Sequence, residues 1–190
     1  MFSCPVSSPF AILHVDLWMP GHHKDPNGYM AIMNAMCDMS QFAVVVPVRD
    51  ESSATLADNF MQHVLMKFGI CHLVVLDDRS PLKGVFIVMC KSLRLNYDVL
   101  AKRNHKGLTL EHVHRFLNKI VTIVAEKRVT NNIFVPACII AGSAWNSVPI
   151  NRTDAIRIIP AIGRELRFSI DINLNALPEM IQNDGQAVLD

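Results

Sequence analysis

The hydrophobic positions along the chain change their period several times, and each change predicts an element. In "AILHVDLWM" (Ala11 to Met19) large apolar residues alternate with others, which predicts a β-strand carrying Asp16 near its end. "PGHHKDPNG" is a turn by its prolines and glycines. "YMAIMNAMCD" and "QFAVVVPV" predict two further strands joined across Asp38 to Ser40, so the first three strands form an antiparallel meander. In "ESSATLADNFMQHVLMKFG" the period switches: Leu56, Phe60, Val64 and Phe68 recur every four residues, with Ser52 or Ser53 as N-cap and Gly69 as terminator. "LVVLDDRSPLKGVF" (Leu73 to Phe86) sends four apolar residues straight into Asp77 and Asp78, the pattern of a fourth strand that is buried up to its end. "KGVFIVMCKSL" predicts a helix and "NYDVLA" a short fifth strand. After the basic loop "KRNHKG", Thr109 is the expected cap of a long helix. Its inner face is Val113, Phe116, Leu117, Ile120 and Val124, and its outer face Glu111, Arg115 and Lys119.

This order predicts an α/β fold: a central mixed five-stranded sheet, a three-strand antiparallel meander plus two strands, with helices on both faces. Residues 1–150 make one core. From about Asn151 the pattern loosens, and 151–190 read as an extension packed on that core or leaving it. At 190 residues the chain suits one hydrophobic core.

Composition adds mainly exclusions. With 51% hydrophobic and 18% charged residues the chain reads as a soluble globular domain rather than a disordered chain. The net charge of +1 means that any nucleic-acid surface is a local patch. Cys4, Cys37, Cys71, Cys90 and Cys138 are odd in number and widely spaced, which fits a reducing compartment, nuclear or cytoplasmic, better than a disulfide framework. The N-terminus does not read as a secretory signal, so the protein is expected not to be secreted. His22 and His23 have no cysteine pair at zinc-finger spacing. Val129 to Asn151 lacks charge, but Pro136, Pro149 and polar residues interrupt it, so a packed core helix is expected there and no membrane span.

Three carboxylates stand at element ends: Asp16 late in the first strand, Asp77 at the end of the fourth, and Glu111 in the first turn of the long helix. Singly, each has a plain structural reading, as a solvated strand end or a favourable charge at a helix N-terminus. If strands one and four are neighbours and the long helix returns over that edge, the three converge. Converging carboxylates repel one another unless they share protons or hold a divalent cation. Oxygen-only ligation favours Mg²⁺ or Mn²⁺, and a pair of such ions is a clamp for in-line phosphoryl transfer.

"LHVDLW", "LDDRSPLKGVF" and "NHKGLTLEHVHRFLNK" resemble, in order, the three acidic motifs of retroviral and retrotransposon integrase catalytic cores, with a flavour nearest the copia-type elements. "AWNSVPIN" and "IPAIGRELRF" resemble the stretch that closes such a core, so the likeness runs from about Leu13 to Phe168. It implies an RNase H-like fold and a polynucleotidyl transferase, with nuclease chemistry on the same fold as its neighbour. The role would be DNA integration, with the catalytic and metal-binding roles on Asp16, Asp77 and Glu111. Two ions when DNA is bound, DNA ends and target as partners, and a homo-oligomer when active are further implications. Asp78 would be a neighbour pointing away from the site. The chain departs from the pattern at Arg79, where glycine is usual, at Leu82, where an aromatic is usual, and in a gap of 33 residues between Asp77 and Glu111. No zinc-binding module precedes the core, which reads as a fragment of a polyprotein product or a decaying copy. The rival reading is therefore a catalytically inactive nucleic-acid-binding remnant.

The basic residues divide into two groups. Lys102, Arg103, His105 and Lys106 are the densest basic cluster and either track a DNA backbone or form an ordinary solvated loop. Arg115 and Lys119 lie along the Glu111 face, either as an exposed ion-pair ladder or as a phosphate-contacting stripe. His112 and His114 flank the glutamate and receive no role. Trp18 and Trp145 read as core or interface aromatics.

Overall fold

Alternation along "ILHVDLW" divides the first strand between two environments, and the whole architecture follows from that division. The computed structural model describes residues 8–20, 25–77, 81–100, 108–127 and 132–149. Five strands, β1 (Ile12–Trp18), β2 (Ala31–Cys37), β3 (Ala43–Val48), β4 (Leu73–Asp77) and β5 (Asn96–Leu100), form one mixed sheet in the order β3-β2-β1-β4-β5. β1, β2 and β3 are the antiparallel meander; β4 and β5 add in parallel to β1. The predicted α/β architecture is the observed one.

Helices cover both faces. Under α1 (Ser53–Phe60) and α3 (Val85–Ser92), Leu13, Val15 and Leu17 of β1 meet Val74 and Leu76 of β4, with Phe60 and Phe86 fully buried against them. Under α4 (Leu108–Lys127) and α5 (Phe134–Asn146) lies a second core built from Ile32, Met36, Val113, Leu117, Phe134 and Ala141 among others. β2 is buried along its entire length because both its faces are covered, which is why its sequence does not alternate.

Local chemistry explains the element ends. The Ser52 side chain accepts the Thr55 N–H and caps α1, while its neighbour Ser53 accepts the Phe86 N–H at 2.9 Å and so caps α3 from a distance. The helix opened by α1 passes through a π-helical turn, Met61–Leu65, before α2 (Met66–Phe68). It ends at Gly69, whose φ of 87° is costly for any other residue. The π turn has no signature in the spacing-four pattern that predicted this helix.

Three expectations are revised. α4 begins at Leu108, so Thr109 lies within its first turn instead of capping it. Its buried face includes Leu110 and Val121, whereas Phe116 and Ile120 are only partly buried. Pro136 does not interrupt α5 but sits in its first turn, where a backbone N–H has no intrahelical acceptor to lose. Leu82, one of the departures from the integrase pattern, is fully buried in the α1/α3 core. Cys37, Cys71, Cys90 and Cys138 are buried free thiols. Asp78, Arg79, the "KRNHKG" loop and the extension 151–190 lie outside the described residues. Among the described residues no helix is long and apolar enough to cross a membrane.

Candidate metal centre and nucleic-acid interface

Asp16 and Asp77 owe their relation to strand register. β1 and β4 are parallel with Val15 beside Leu76, so the next step brings Asp16 and Asp77 abreast. Val15 and Leu76 face the α1/α3 core, and alternation therefore turns both aspartates toward the α4 side. Asp77 ends β4 and Asp16 lies two residues before the end of the neighbouring parallel β1, near the carboxyl ends where open sheets collect their ligand sites.

Asp16 is largely buried, and one carboxylate oxygen accepts the Leu17 N–H at 2.8 Å. Burial raises its pKa to about 6; the Leu17 hydrogen bond opposes that rise, and the negative charge of Asp77 adds to it. Asp77 is exposed at its strand end. A site that already resists one negative charge and faces a second is one that a cation would relieve, and in this respect the pair fits a divalent ion.

Glu111 lies in the first turn of α4, as expected, but it is exposed and its carboxylate is 3.8 Å from the Arg115 guanidinium one turn on. The α4 side chain that stands against Asp16 is His114, whose Nε2 is 3.9 Å from Asp16 Oδ2. Burial depresses the His114 pKa to about 4, against the opposing pull of the Glu111 charge, so this is a neutral imidazole beside a carboxylate and not an ion pair. Among the described residues no three His, Cys, Asp or Glu side chains form a ready-made metal group. Asp16 and Asp77 are brought together; Glu111 stands on the same side, turned to Arg115.

Two polar residues with no role in the sequence reading belong here. His114 follows Glu111 by three positions, a spacing that puts both on one helix face, and that spacing was the available signal. Asn34 on β2 is the register partner of Asp16. Its neighbours Ile32 and Met36 belong to the α4/α5 core, so it shares the face of Asp16. Asn34 is fully buried, and neither its amide oxygen nor its amide nitrogen, nor the Nε2 of His114, finds a hydrogen-bond partner within the protein. An asparagine inside an otherwise apolar strand was the clue.

The outer face of α4 continues into a groove of about 660 Å³ lined by Trp18, Glu111, His114, Arg115, Lys119 and Trp145. Arg115 and Lys119 are exposed along it. Trp18 and Trp145 pack partly against the α4/α5 core, and the Trp145 indole N–H donates to the Gln41 carbonyl at 3.0 Å. Lys102, Arg103 and Lys106 lie outside the described residues.

No family model matches the chain. A curated relative, the retrovirus-related Pol polyprotein from transposon 412 of Drosophila melanogaster, is 24% identical over 100 residues, 52% of this chain and 8% of that protein. A chain of the simian T-cell lymphotropic virus intasome in complex with the PP2A regulatory subunit B56 gamma superposes with a TM-score of 0.67 at 13% identity, covering 85% of this chain and 57% of that one. The HTLV-2 integrase catalytic core domain in complex with magnesium gives 0.63 at 15% identity, over 82% of this chain and 98% of that one. The catalytic core domain of BIV integrase gives 0.56 at 14%, over 87% and 96%. The chain thus spans a small part of the polyprotein and just over half of the intasome chain, and at these identities the structural likeness is one of fold.

Proposed function

We propose that this chain, an integrase core of RNase H-like type by its fold and by its likeness to a retrotransposon polyprotein, is a metal-dependent polynucleotidyl transferase. Its reaction would join element DNA 3′ ends to target DNA by in-line attack on a phosphodiester. The observation that carries this reading is the pair Asp16 and Asp77, abreast near the carboxyl ends of parallel strands on the side that α4 covers.

Asp16 and Asp77 would jointly hold one Mg²⁺ or Mn²⁺, and Asp16 with Glu111 a second; such a pair supplies charge stabilisation to the entering and leaving oxygens. Magnesium in the similar HTLV-2 core supports the choice of ion. For Glu111 to take part it must leave Arg115, which then becomes free to meet a phosphate. Lys119, one turn further on, extends that contact, and Lys102, Arg103 and Lys106 would carry it along the backbone. Residues 1–150 would form the catalytic core and 151–190 an extension to it. The dimeric and trimeric forms of the HTLV-2 core support a homo-oligomer, acting in the nucleus or cytoplasm.

The second reading, an inactive nucleic-acid-binding remnant, draws on the absence of a ready-made three-ligand group among the described residues and on the pairing of Glu111 with Arg115. A strand-transfer assay on a labelled duplex with Mg²⁺ or Mn²⁺ decides between them. The first reading expects joined products from the wild-type chain and none from Asp16→Asn. A folded wild-type chain that binds the duplex but neither cuts nor joins it with either ion sinks that reading in favour of the remnant. Cleavage confined to an RNA–DNA hybrid would make it a nuclease.

A further inference from the structure

We propose that His114 is a nitrogen ligand to the divalent ion held by Asp16, so that this centre is a mixed nitrogen–oxygen site instead of an all-oxygen one. The proposal rests on the metal-dependent reading above and specifies its chemistry.

His114 Nε2 and Asp16 Oδ2 stand 3.9 Å apart. A direct hydrogen bond would hold the two atoms roughly 2.7–3.2 Å apart. A water that donates to the carboxylate and donates to, or accepts from, the imidazole nitrogen, at about 2.8 Å from each, would hold them some 4.5 Å or more apart. An ion about 2.1 Å from each ligand atom holds neighbouring donors roughly 3.0–3.4 Å apart at octahedral or tetrahedral angles, and somewhat further at wider angles. The observed gap falls between the hydrogen-bonded and water-bridged distances, and a closure of about half an ångström reaches the metal-bridged range.

Donor chemistry points the same way. Nε2 is buried and makes no hydrogen bond within the protein, an expensive state for a ring nitrogen unless something else takes it up. Beside it, the register partner of Asp16, Asn34, is fully buried with both amide atoms likewise unpartnered. Two independent side chains on two elements thus leave polar atoms unpaired on the one face that carries Asp16. Divalent ions of this size keep some of their waters, and such waters would satisfy the Asn34 amide while Nε2 meets the ion. Glu111, one turn before His114 on the same helix, completes the set once it leaves Arg115.

An imidazole donor has a consequence for metal choice. Mg²⁺ prefers oxygen ligands and gives up its waters reluctantly, whereas transition-row ions accept nitrogen readily. The site is therefore expected to favour Mn²⁺ over Mg²⁺ more strongly than three carboxylates would.

The test uses the full chain and Mn²⁺ alone as the probe, without DNA. Pulsed electron paramagnetic resonance of the Mn²⁺-loaded protein is expected to show a nitrogen coupling that changes isotope signature when histidine is labelled with ¹⁵N. His114→Gln should abolish the coupling and weaken Mn²⁺ binding about tenfold in calorimetry, with Mg²⁺ binding changed by less than about threefold. His112→Gln should leave both as they are. Mn²⁺ that binds in an Asp16-dependent manner without a histidine coupling overturns the proposal and leaves the metal-dependent reading standing. No Asp16-dependent binding of either ion overturns both. If the His114 variant fails to fold, the labelled wild type still tests the proposal, because the absence of any histidine coupling overturns it and a coupling lost in Asp16→Asn but kept in His112→Gln places the nitrogen at the Asp16 site.

Discussion

The two sides of the sheet are built on different principles. Beneath α1 and α3 the described core is apolar, with Phe60 and Phe86 in tilted contact 5.1 Å apart and Phe10, Phe42 and Phe68 clustered beyond them. Beneath α4 and α5, buried polar groups interrupt the apolar packing. His14 contacts Asp38 at 2.7 Å, Asn146 pairs both amide atoms with the backbone of Ala43, and Asn34 remains unpartnered beside Asp16. One side stores stability by burial, and the other gives some of it up to hold chemistry in a dry environment, where charges interact more strongly.

Breaking the apolar side should cost most. Phe60→Ala removes a fully buried ring and is expected to lose about 3–5 kcal/mol, by cavity formation plus lost transfer energy. Urea unfolding measures it. Mn²⁺ affinity of the remaining folded protein should be unchanged, and a change in that affinity would show that the two sides are not separable.

On the polar side, the largest single contribution is expected from Asp25. Its carboxylate accepts the Ile133 and Phe134 N–H groups at 2.7 and 2.8 Å, capping α5 across 108 residues of chain, and also accepts the Asn27 N–H at 2.7 Å. Asp25→Ala should therefore cost about 2–3 kcal/mol, and Asp25→Asn less, since its amide oxygen can still accept. Equal losses for the two substitutions would mean that the charge at the α5 N-terminus matters more than the hydrogen bonds.

A smaller effect comes from the opposed titrations of Asp16 and His114 in metal-free protein. Asp16 has a folded pKa raised from 3.8 to about 6, so the folded state takes up its proton first, and stability falls as pH rises through that window. His114 has a folded pKa lowered from 6.5 to about 4, so the unfolded state takes up the proton first, and stability falls as pH drops through nearly the same window. Each amounts to roughly 2–3 kcal/mol, with opposite sign, so their sum is nearly flat between about pH 4 and 6. His114→Gln should expose the Asp16 slope, making the protein more stable at pH 4.5 than at pH 6.5. Asp16→Asn should expose the reverse. Chemical denaturation at the two pH values reads both, and a steep wild-type profile that neither variant alters would refute the pairing.

Much of this was legible along the chain because it is local. Alternation or a continuous apolar run marked the strands, a carboxylate late in β1 and another at the end of β4 marked Asp16 and Asp77, and the Ser52–Ser53 pair and Gly69 announced the ends of the first helical segment. The face of α4 follows from spacing only approximately: Leu110 and Val121 lie on it, and Phe116 and Ile120 lie at its margin. His114 and Asn34 were passed over for a different reason. A histidine in a helix and an asparagine in a strand carry no intrinsic signal, and their significance is created by what stands opposite them.

The sequence by itself determined which segments become strands and helices, which faces they bury and where the carboxylates sit within each element, because period and end chemistry are properties of neighbouring residues. Only the tertiary structure decided that Asp25 caps a helix 108 residues away, that Ser53 caps α3, and that His114 stands against Asp16 while Glu111 turns to Arg115. Those relations depend on the register of β1 against β4 and on the seating of α4 over the sheet. The competing energies there are summed over the whole core, so no short stretch of residues carries them.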